Sequence, residues 1–582
     1  MTNQLSYKEI QKIFWEKVLK NYKLRFFICF VLIICSSLAE LLTISSIIPL
    51  LSILSSPETI FSNTRIAPIL DLFSITSSQE LIVAFSLFFC FAALLGAFFR
   101  SVCLIYSSRM AFSIAHQLSL KSYENALQRS YAKHISTNSA DVVTTISYQL
   151  ERVVYNLIFQ AFLLVSALVV SLIILAALVF MNPVVTISIA IVCSLFYLII
   201  SLVIKKILLK ESEQIVEASA AQVKIINESF GGIRDILINN AHSFYYSNFE
   251  SKNYILRRGQ AINAVASMIP RYLIEGLGFI MIVAAAYFMS QQGTFASAVP
   301  LLGALAIGAQ KLLGLFQQLF VAWSAIMGNY ESLQDVSRLL TEKPSTNFSP
   351  SLERLDFKNK IVLKDIRYAY NQESNTIFQG INFQINAGDR IGIIGETGSG
   401  KSTFVDIVAG LLFPDQGSVL IDNIELNTSN ASLWMQNLAY VPQNIYLSDE
   451  TILENIAIGV SIDSIDLVLA KQSLENASLS NFIDSLPNGV HTKVGERGVK
   501  LSGGQKQRIG IARALYKRAS LIIFDEATSA LDESTENAVM EAIDGLDSSI
   551  TMLIIAHRTS TLKNCNKVIE LKNGNINLIS QT

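Results

Sequence analysis

Over roughly its first 340 residues the chain repeatedly runs apolar for long enough to cross a membrane, and beyond that point it does so no more. A hydrocarbon core of about 30 Å needs ~20 residues of helix. Six runs meet that length, near residues 24–54, 79–105, 154–181, 183–204, 264–290 and 296–326. A basic N-terminal stretch leads into the first of them without a small-residue cleavage site, so it reads as a retained span rather than a signal peptide. Only 16% of residues are charged, too few for an ordinary soluble protein. A net charge of −1 gives no electrostatic reason for a nucleic-acid partner. The six cysteines form no CxxC pair, so neither a zinc site nor a disulfide framework is indicated.

Lys and Arg orient the spans. Lys8, Lys12, Lys17, Lys20, Lys23 and Arg25 precede or open the first span. Further basic residues, among them Arg109, Lys121, Arg129 and Lys133, fill the long stretch between spans two and three. Lys205, Lys206, Arg234 and Arg257 do the same between spans four and five, while the opposite loops carry only Arg65. This bias places both termini and both long loops in the cytoplasm. Helical apolar spacing persists through those loops (Ile215, Ala218, Val223, Ile226), so the spans are read as continuing into the cytoplasm as helices that turn near 130–140 and 231–242.

Composition changes near residue 341. The expected division is a transmembrane domain over 1–340, a Pro- and Ser-bearing linker over 341–355 and a nucleotide-binding domain over 356–582. In the last of these, Gly395-Glu396-Thr397-Gly398-Ser399-Gly400-Lys401-Ser402-Thr403 follows an apolar strand candidate, Arg390–Ile394, and opens a helical stretch. That is the setting of a phosphate loop: backbone N–H groups turn inward, the helix N-terminus adds positive partial charge, Lys401 reaches the outer phosphates and Ser402 holds Mg²⁺. A second strand candidate, Leu521-Ile-Ile-Phe, ends in Asp525 and Glu526. Asp525 is placed to hold Mg²⁺ through water and Glu526 to polarise the attacking water. Alone, this pair would read as a strand ending in solvated acids; the phosphate loop upstream decides for chemistry.

Leu501-Ser502-Gly503-Gly504-Gln505 then resembles the signature motif of ABC ATPases, and its surroundings match the family in order and spacing. By that resemblance Tyr370 stacks on adenine, Gln443 senses Mg²⁺ and the membrane domain, Ser529–Asp532 form the D-loop and His557 is the switch histidine at the γ-phosphate. The catalytic set it implies is Glu526, His557 and Gln443, with ATP and Mg²⁺ as cofactors. Ser402, Gln443 and Asp525 serve the metal. The family further implies that nucleotide is closed between two copies, Lys401 on one and Ser502, Gly503, Gly504 and Gln505 on the other. A second copy of the same chain is the simplest partner; a different chain is the alternative.

Six spans fused ahead of the ATPase are similar to half-transporters of the type IV exporter fold. The fold class expected is therefore a six-helix transmembrane bundle with long cytoplasmic helix extensions, followed by an α/β P-loop ABC ATPase domain, in a bacterial plasma (inner) membrane. Ionisable residues at membrane depth are functional candidates: Glu40, Arg271, Glu275 and Lys311, with Arg100 at the cytoplasmic end of its span. Arg271 and Glu275 share a helix face, which leaves mutual neutralisation and ligand contact both open. Arg100 is expected to snorkel towards the head groups. Lys311, with Arg100 and Arg271, is the candidate set for an anionic head group. The stretches Ala39–Pro49, Phe230–Ile236 and Ile269–Glu275 resemble bacterial lipid-linked oligosaccharide flippases. That implies a polyprenyl-pyrophosphate glycan as cargo and membrane lipid as partner; other lipids or hydrophobic drugs are the alternative.

Overall fold

The computed structural model describes residues 9, 19–55, 77–181, 183–291, 295–342, 354–370, 376–527, 533–556 and 562–581. The chain divides into two compact units. One comprises Met1–Leu127 and Thr137–Lys343, the other Gln128–Ser136 and Pro344–Thr582.

The first unit is all helix. Its long elements are α1 (Lys23–Ser55) and α2 (Ser78–Leu127). In the second unit, α3 (Tyr131–Ser136) is a short helix at the turn that follows α2. The first unit resumes with a helical run from Ser139, interrupted by π-helical turns at Thr145–Gln149 and Val154–Ile158, that continues as α4 (Phe159–Met181). Next come α5 (Pro183–Gly231), the short α6 (Ile233–Ile238), α7 (His242–Gln291), α8 (Phe295–Gly328) and α9 (Tyr330–Thr341). Helices α2, α5 and α7, of 50, 49 and 50 residues, are far longer than a bilayer requires, so the spans do continue as helices beyond it. The two expected turns contain α3 and α6.

Among the described residues, four helical stretches are long and apolar enough to cross a membrane: Lys20–Leu54, Ser78–Leu127, Ser139–Phe180 and Ile307–Gly328. Large side chains such as Phe27, Leu94 and Leu172 are exposed along them, the outward apolar surface that lipid would cover. Among the described residues, interior clusters hold the helices together, two of them larger than the rest. One joins Cys29, Ile33, Met110, Ile114 and Leu157 to Val336 and Leu340 of α9; the other joins Ile44, Ile174, Leu178 and Leu312. Asn125 donates to the carbonyls of Leu339 and Leu340 (both 3.1 Å), serving acceptors that the end of α9 leaves without helical partners.

The second unit is α/β. A four-stranded antiparallel sheet contains β1 (Lys360–Tyr368), β2 (Phe378–Asn386), β4 (Gln416–Ile421) and β5 (Ile424–Glu425) in the order β2-β1-β4-β5. A six-stranded sheet contains β3 (Arg390–Ile394), β6 (Leu438–Val441), β7 (Leu521–Asp525), β8 (Thr551–Ile555), β9 (Lys567–Lys572) and β10 (Asn575–Gln581). Its order is β10-β9-β3-β8-β7-β6, parallel except for β10. Alternation along β7 explains its unbroken apolar run. Leu521 and Ile523 enter the core that holds Phe404 and Trp434, while Ile522 and Phe524 enter the opposite one with Ile509 and Val539. The longer helices of the unit are α10 (Lys401–Val408), α11 (Leu467–Asn476), α12 (Gly503–Tyr516) and α13 (Glu533–Asp544).

Candidate nucleotide site and membrane cavity

The phosphate loop lies between β3 and α10, as its sequence requires. Gly400 caps α10 at φ 96°, and a Cβ there would come within 2.9–3.1 Å of Ile377 and Phe378, so only glycine fits. Lys401 is buried at the start of α10 and its Nζ donates to the carbonyls of Gly395 (2.7 Å) and Glu396 (3.1 Å). The ammonium is thereby held inside the loop. Ser402 is exposed. The buried Ser399 hydroxyl has no hydrogen-bond partner. Polar groups buried without a partner are costly, and this one sits in a loop whose geometry suits phosphate oxygens, so the residues fit a nucleotide.

Strand β7, between β8 and β6, delivers its carboxylates to the carboxyl edge of the sheet, where open α/β folds bind ligands. Tyr440, at the end of β6, donates its hydroxyl to Asp525 Oδ2 (2.7 Å). Glu526 adopts φ 49°, a left-handed backbone that is costly for a non-glycine residue and turns its side chain off the strand direction. Its backbone N–H donates to Ile555 of β8 (3.1 Å), and Gln443 donates through Nε2 to its Oε2 (3.0 Å). The proposed base and the proposed sensor thus touch. Asp406 of α10 was not singled out in the sequence. Burial pushes its carboxyl up to about 6, with the charge of Asp525 adding to the effect. A lone acid inside an amphipathic helix carries no signal of its own; only packing beside β7 marks it.

Tyr370 is partly exposed, and its hydroxyl lies 3.0 Å from Thr403 Oγ1. Ser502 and Gln505 form a reciprocal capping box at the start of α12, Gln505 N donating to Ser502 Oγ (3.3 Å) and Ser502 N to Gln505 Oε1 (2.8 Å). Ser502 and Gly503 are exposed while Gly504 is buried. The signature therefore presents a helix N-terminus outward, on a different element from the phosphate loop. Asp532 and His557 lie outside the described residues, as do Ser529, Ala530 and Leu531.

In the helical unit the expected cations have partners. Glu40 of α1 accepts from Arg100 of α2 (2.5 Å to Oε2) and from Lys311 of α8 at Oε1. Arg100 is thus engaged with a carboxylate, because Glu40 on the neighbouring helix offers it a counter-charge. The three line a cavity of about 390 Å³ together with Gln310, Gln318 and Ser166. Arg271 pairs with Glu275 (3.9 Å) along α7, and both line an adjoining cavity of about 420 Å³. The two cavities share Gln310 and Gly314. A third, almost wholly apolar crevice of about 450 Å³ (Phe26, Phe30, Ile33, Leu157, Val165) meets the first at Phe162. The polar stripe of α8, Gln310, Gln317 and Gln318 beside Lys311, escaped the sequence analysis; amides recurring one heptad apart in an apolar helix were the signal.

Fold and site together define a membrane protein whose helical region precedes a P-loop nucleotide-binding unit. Residues 24–298 match the family described as "ABC transporter transmembrane region", and residues 378–529 match "ABC transporter". The chain belongs to the ABC transporter family. Among its relatives are proteins named "ATP-dependent lipid A-core flippase". That of Bordetella avium is 30% identical over 373 residues, 63% of this chain and 62% of the relative. That of Saccharophagus degradans is 41% identical over 219 residues, 38% of this chain and 37% of the relative. Each match spans less than two thirds of the relative's own length. A solved structure titled "Structure of a bacterial Atm1-family ABC exporter with ATP bound" superposes with a TM-score of 0.79, covering 96% of this chain and 95% of the other at 20% identity. The architecture is thus that of an ABC exporter.

Proposed function

We propose that two copies of this chain form an exporter in which ATP hydrolysis moves an anionic glycolipid across the bacterial plasma (inner) membrane, with both termini and the ATPase unit in the cytoplasm. The observation that carries the reading is the cation-bearing cavity around Lys311 and Arg100, which adjoins an apolar crevice: one place for a charged head group, another for a chain. In the ATPase unit, the loop Gly395–Thr403 and Lys401 would hold the phosphates of ATP. Ser402, Gln443 and Asp525 would hold Mg²⁺, which supplies charge neutralisation at the phosphates. Glu526, kept in place by Gln443, orients and deprotonates the attacking water. Ser502–Gln505 of a second copy would complete the site, since Ser502 and Gly503 are exposed at the start of their helix.

The cargo favoured by the resemblance of Ala39–Pro49 and its companion stretches is a polyprenyl-pyrophosphate-linked oligosaccharide. A lipid A-core-type glycolipid is the second reading, favoured by the names of the relatives. Transport in proteoliposomes separates them. Each labelled glycolipid is reconstituted with purified protein, and ATP-dependent change in its accessibility to an added glycosidase is followed, with Glu526→Gln as the hydrolysis-dead control. Movement of one glycolipid that needs both ATP and Glu526 supports the reading and picks the cargo. Hydrolysis stimulated only by hydrophobic drugs, with both glycolipids stationary, would sink it.

A further inference from the structure

The two cations of the cavity are not waiting free; they already hold an anion, and that anion is part of the protein. We infer that Glu40 is the resident counter-anion of the head-group subsite, and that by occupying both cations it sets which lipids the cavity accepts. The inference deepens the reading above and rests on its placing of the cargo head group in this cavity.

Three observations carry it. The first is geometry: residues 60 and 271 positions away in sequence converge on one carboxylate, Arg100 on Oε2 and Lys311 on Oε1, from three different helices. The second is accessibility. The Glu40 side chain is only 9% exposed, whereas Lys311 is 28% and Arg100 64% exposed, so a ligand entering the cavity meets more of the cations than of the acid. The third is that the acid is held rigidly. Gly96 of α2 lets α1 approach closely, its missing Cβ position lying 3.2 Å from Thr43 Oγ1 and 3.6 Å from Glu40 Oε2. Thr43 then bridges the two helices by donating to the carbonyl of Ala92 (3.0 Å).

Charge decides the consequence. Two cations and one carboxylate leave the triad with a net charge of about +1, and Coulomb terms are strong where water is scarce. One phosphate-class charge is what such a site can still accept. A lipid with the same chains and no phosphate gains nothing from that residual charge, so the triad prefers the phosphate-bearing lipid, and the resident acid sets how strongly. Removing the acid would leave about +2, a stronger and less selective anion trap. Restoring +1 by deleting one cation as well should return anion affinity towards that of the wild type, which a purely architectural role for Glu40 would not do.

The test is native mass spectrometry of the full-length purified protein, counting bound lipid during titration with dioleoyl phosphatidic acid or dioleoylglycerol, with inorganic phosphate as competitor. Wild type should prefer phosphatidic acid. Glu40→Gln should bind phosphatidic acid about tenfold more tightly, Lys311→Gln about tenfold more weakly, and the double variant Glu40→Gln/Lys311→Gln should return towards wild type. Phosphatidic acid binding that is unchanged or weakened in a monodisperse Glu40→Gln protein overturns the inference. If that variant does not fold, the double variant decides: phosphatidic acid binding no tighter than in Lys311→Gln alone overturns it equally. Competition by inorganic phosphate at concentrations matching the lipid would assign the site to a soluble anion and defeat the lipid head-group assignment. If the charge order holds while neither glycolipid moves in proteoliposomes, the cargo proposal falls and the role of Glu40 stands. If a glycolipid moves but the charge order is absent, the role of Glu40 falls alone.

Discussion

On the proposed function, the ATPase unit and the helical unit solve the same problem, holding a phosphate-bearing ligand, by opposite means. In the ATPase unit the groups are neighbours in sequence: nine consecutive residues from Gly395 to Thr403 form a loop whose backbone does most of the binding. In the helical unit the groups are isolated side chains on α1, α2 and α8, and only packing brings Glu40, Arg100 and Lys311 together. Backbone-borne sites depend on local conformation, whereas sites assembled from side chains depend on the approach of whole helices. The former should break at glycine and at single reactive groups, the latter at helix crossings and at charge balance.

The sharpest way to isolate the ATPase side of this comparison is Glu526→Gln. Loss of the base should lower phosphate release about 10²- to 10⁴-fold while ATP still binds, read by steady-state hydrolysis beside nucleotide binding. Retained hydrolysis would show that Glu526 is not the base. Gly400→Ala tests whether the loop depends on backbone shape. Its φ of 96° should cost ~1–3 kcal/mol in an L-residue, weakening ATP binding about five- to hundredfold by isothermal titration. Unchanged affinity would mean that the loop relaxes freely.

On the helical side, Gly96→Leu wedges α1 from α2 where Glu40 is held. Overpacking of ~1–3 kcal/mol should lower the melting temperature and abolish stimulation of hydrolysis by lipid, with basal ATP binding intact. Stimulation surviving in that variant would break the link between this crossing and the cavity. The smallest effect concerns Asp422, in the turn between β4 and β5. Its slight burial raises the carboxyl pKa, but N–H groups of Lys358 (2.5 Å), Lys360 (2.7 Å) and Asn359 (2.9 Å) outweigh this and hold it below the usual range. A lowered folded pKa stabilises above the unfolded value and is lost as pH falls through the folded one. Asp422→Ala should therefore cost ~0.5–1 kcal/mol at pH 7, since solvent screens this exposed group. The difference should shrink below about pH 4 in thermal melts; a deficit independent of pH would refute the charge argument.

Much of the ATPase unit was legible because its motifs are contiguous. The apolar run Leu521–Phe524 ending in two acids could be read as a buried strand delivering carboxylates, and it is one. Asp406 and Tyr440 were not legible, since each acquires meaning only from the neighbouring Asp525. In the helical unit, the helical continuation of the spans beyond the bilayer followed from unbroken apolar spacing. The ion pair Arg271–Glu275 followed from a separation of four. Glu40 was visible as a charge at membrane depth, yet nothing in its surroundings named its partners.

By itself, then, the sequence determined the order of membrane helices and ATPase, two strands of the parallel sheet (Arg390–Ile394 and Leu521–Asp525) and the phosphate loop. Each of these is governed by interactions between residues a few positions apart or by the free energy of putting apolar runs into lipid. Tertiary structure alone decided that Arg100 and Lys311 share Glu40, that Gln443 touches Glu526, and that an apolar crevice adjoins a charged cavity. A helix surrounded by lipid has no amphipathic stripe to declare which face turns inward, and the partner of a buried charge is chosen by packing across the bundle rather than by position in the chain.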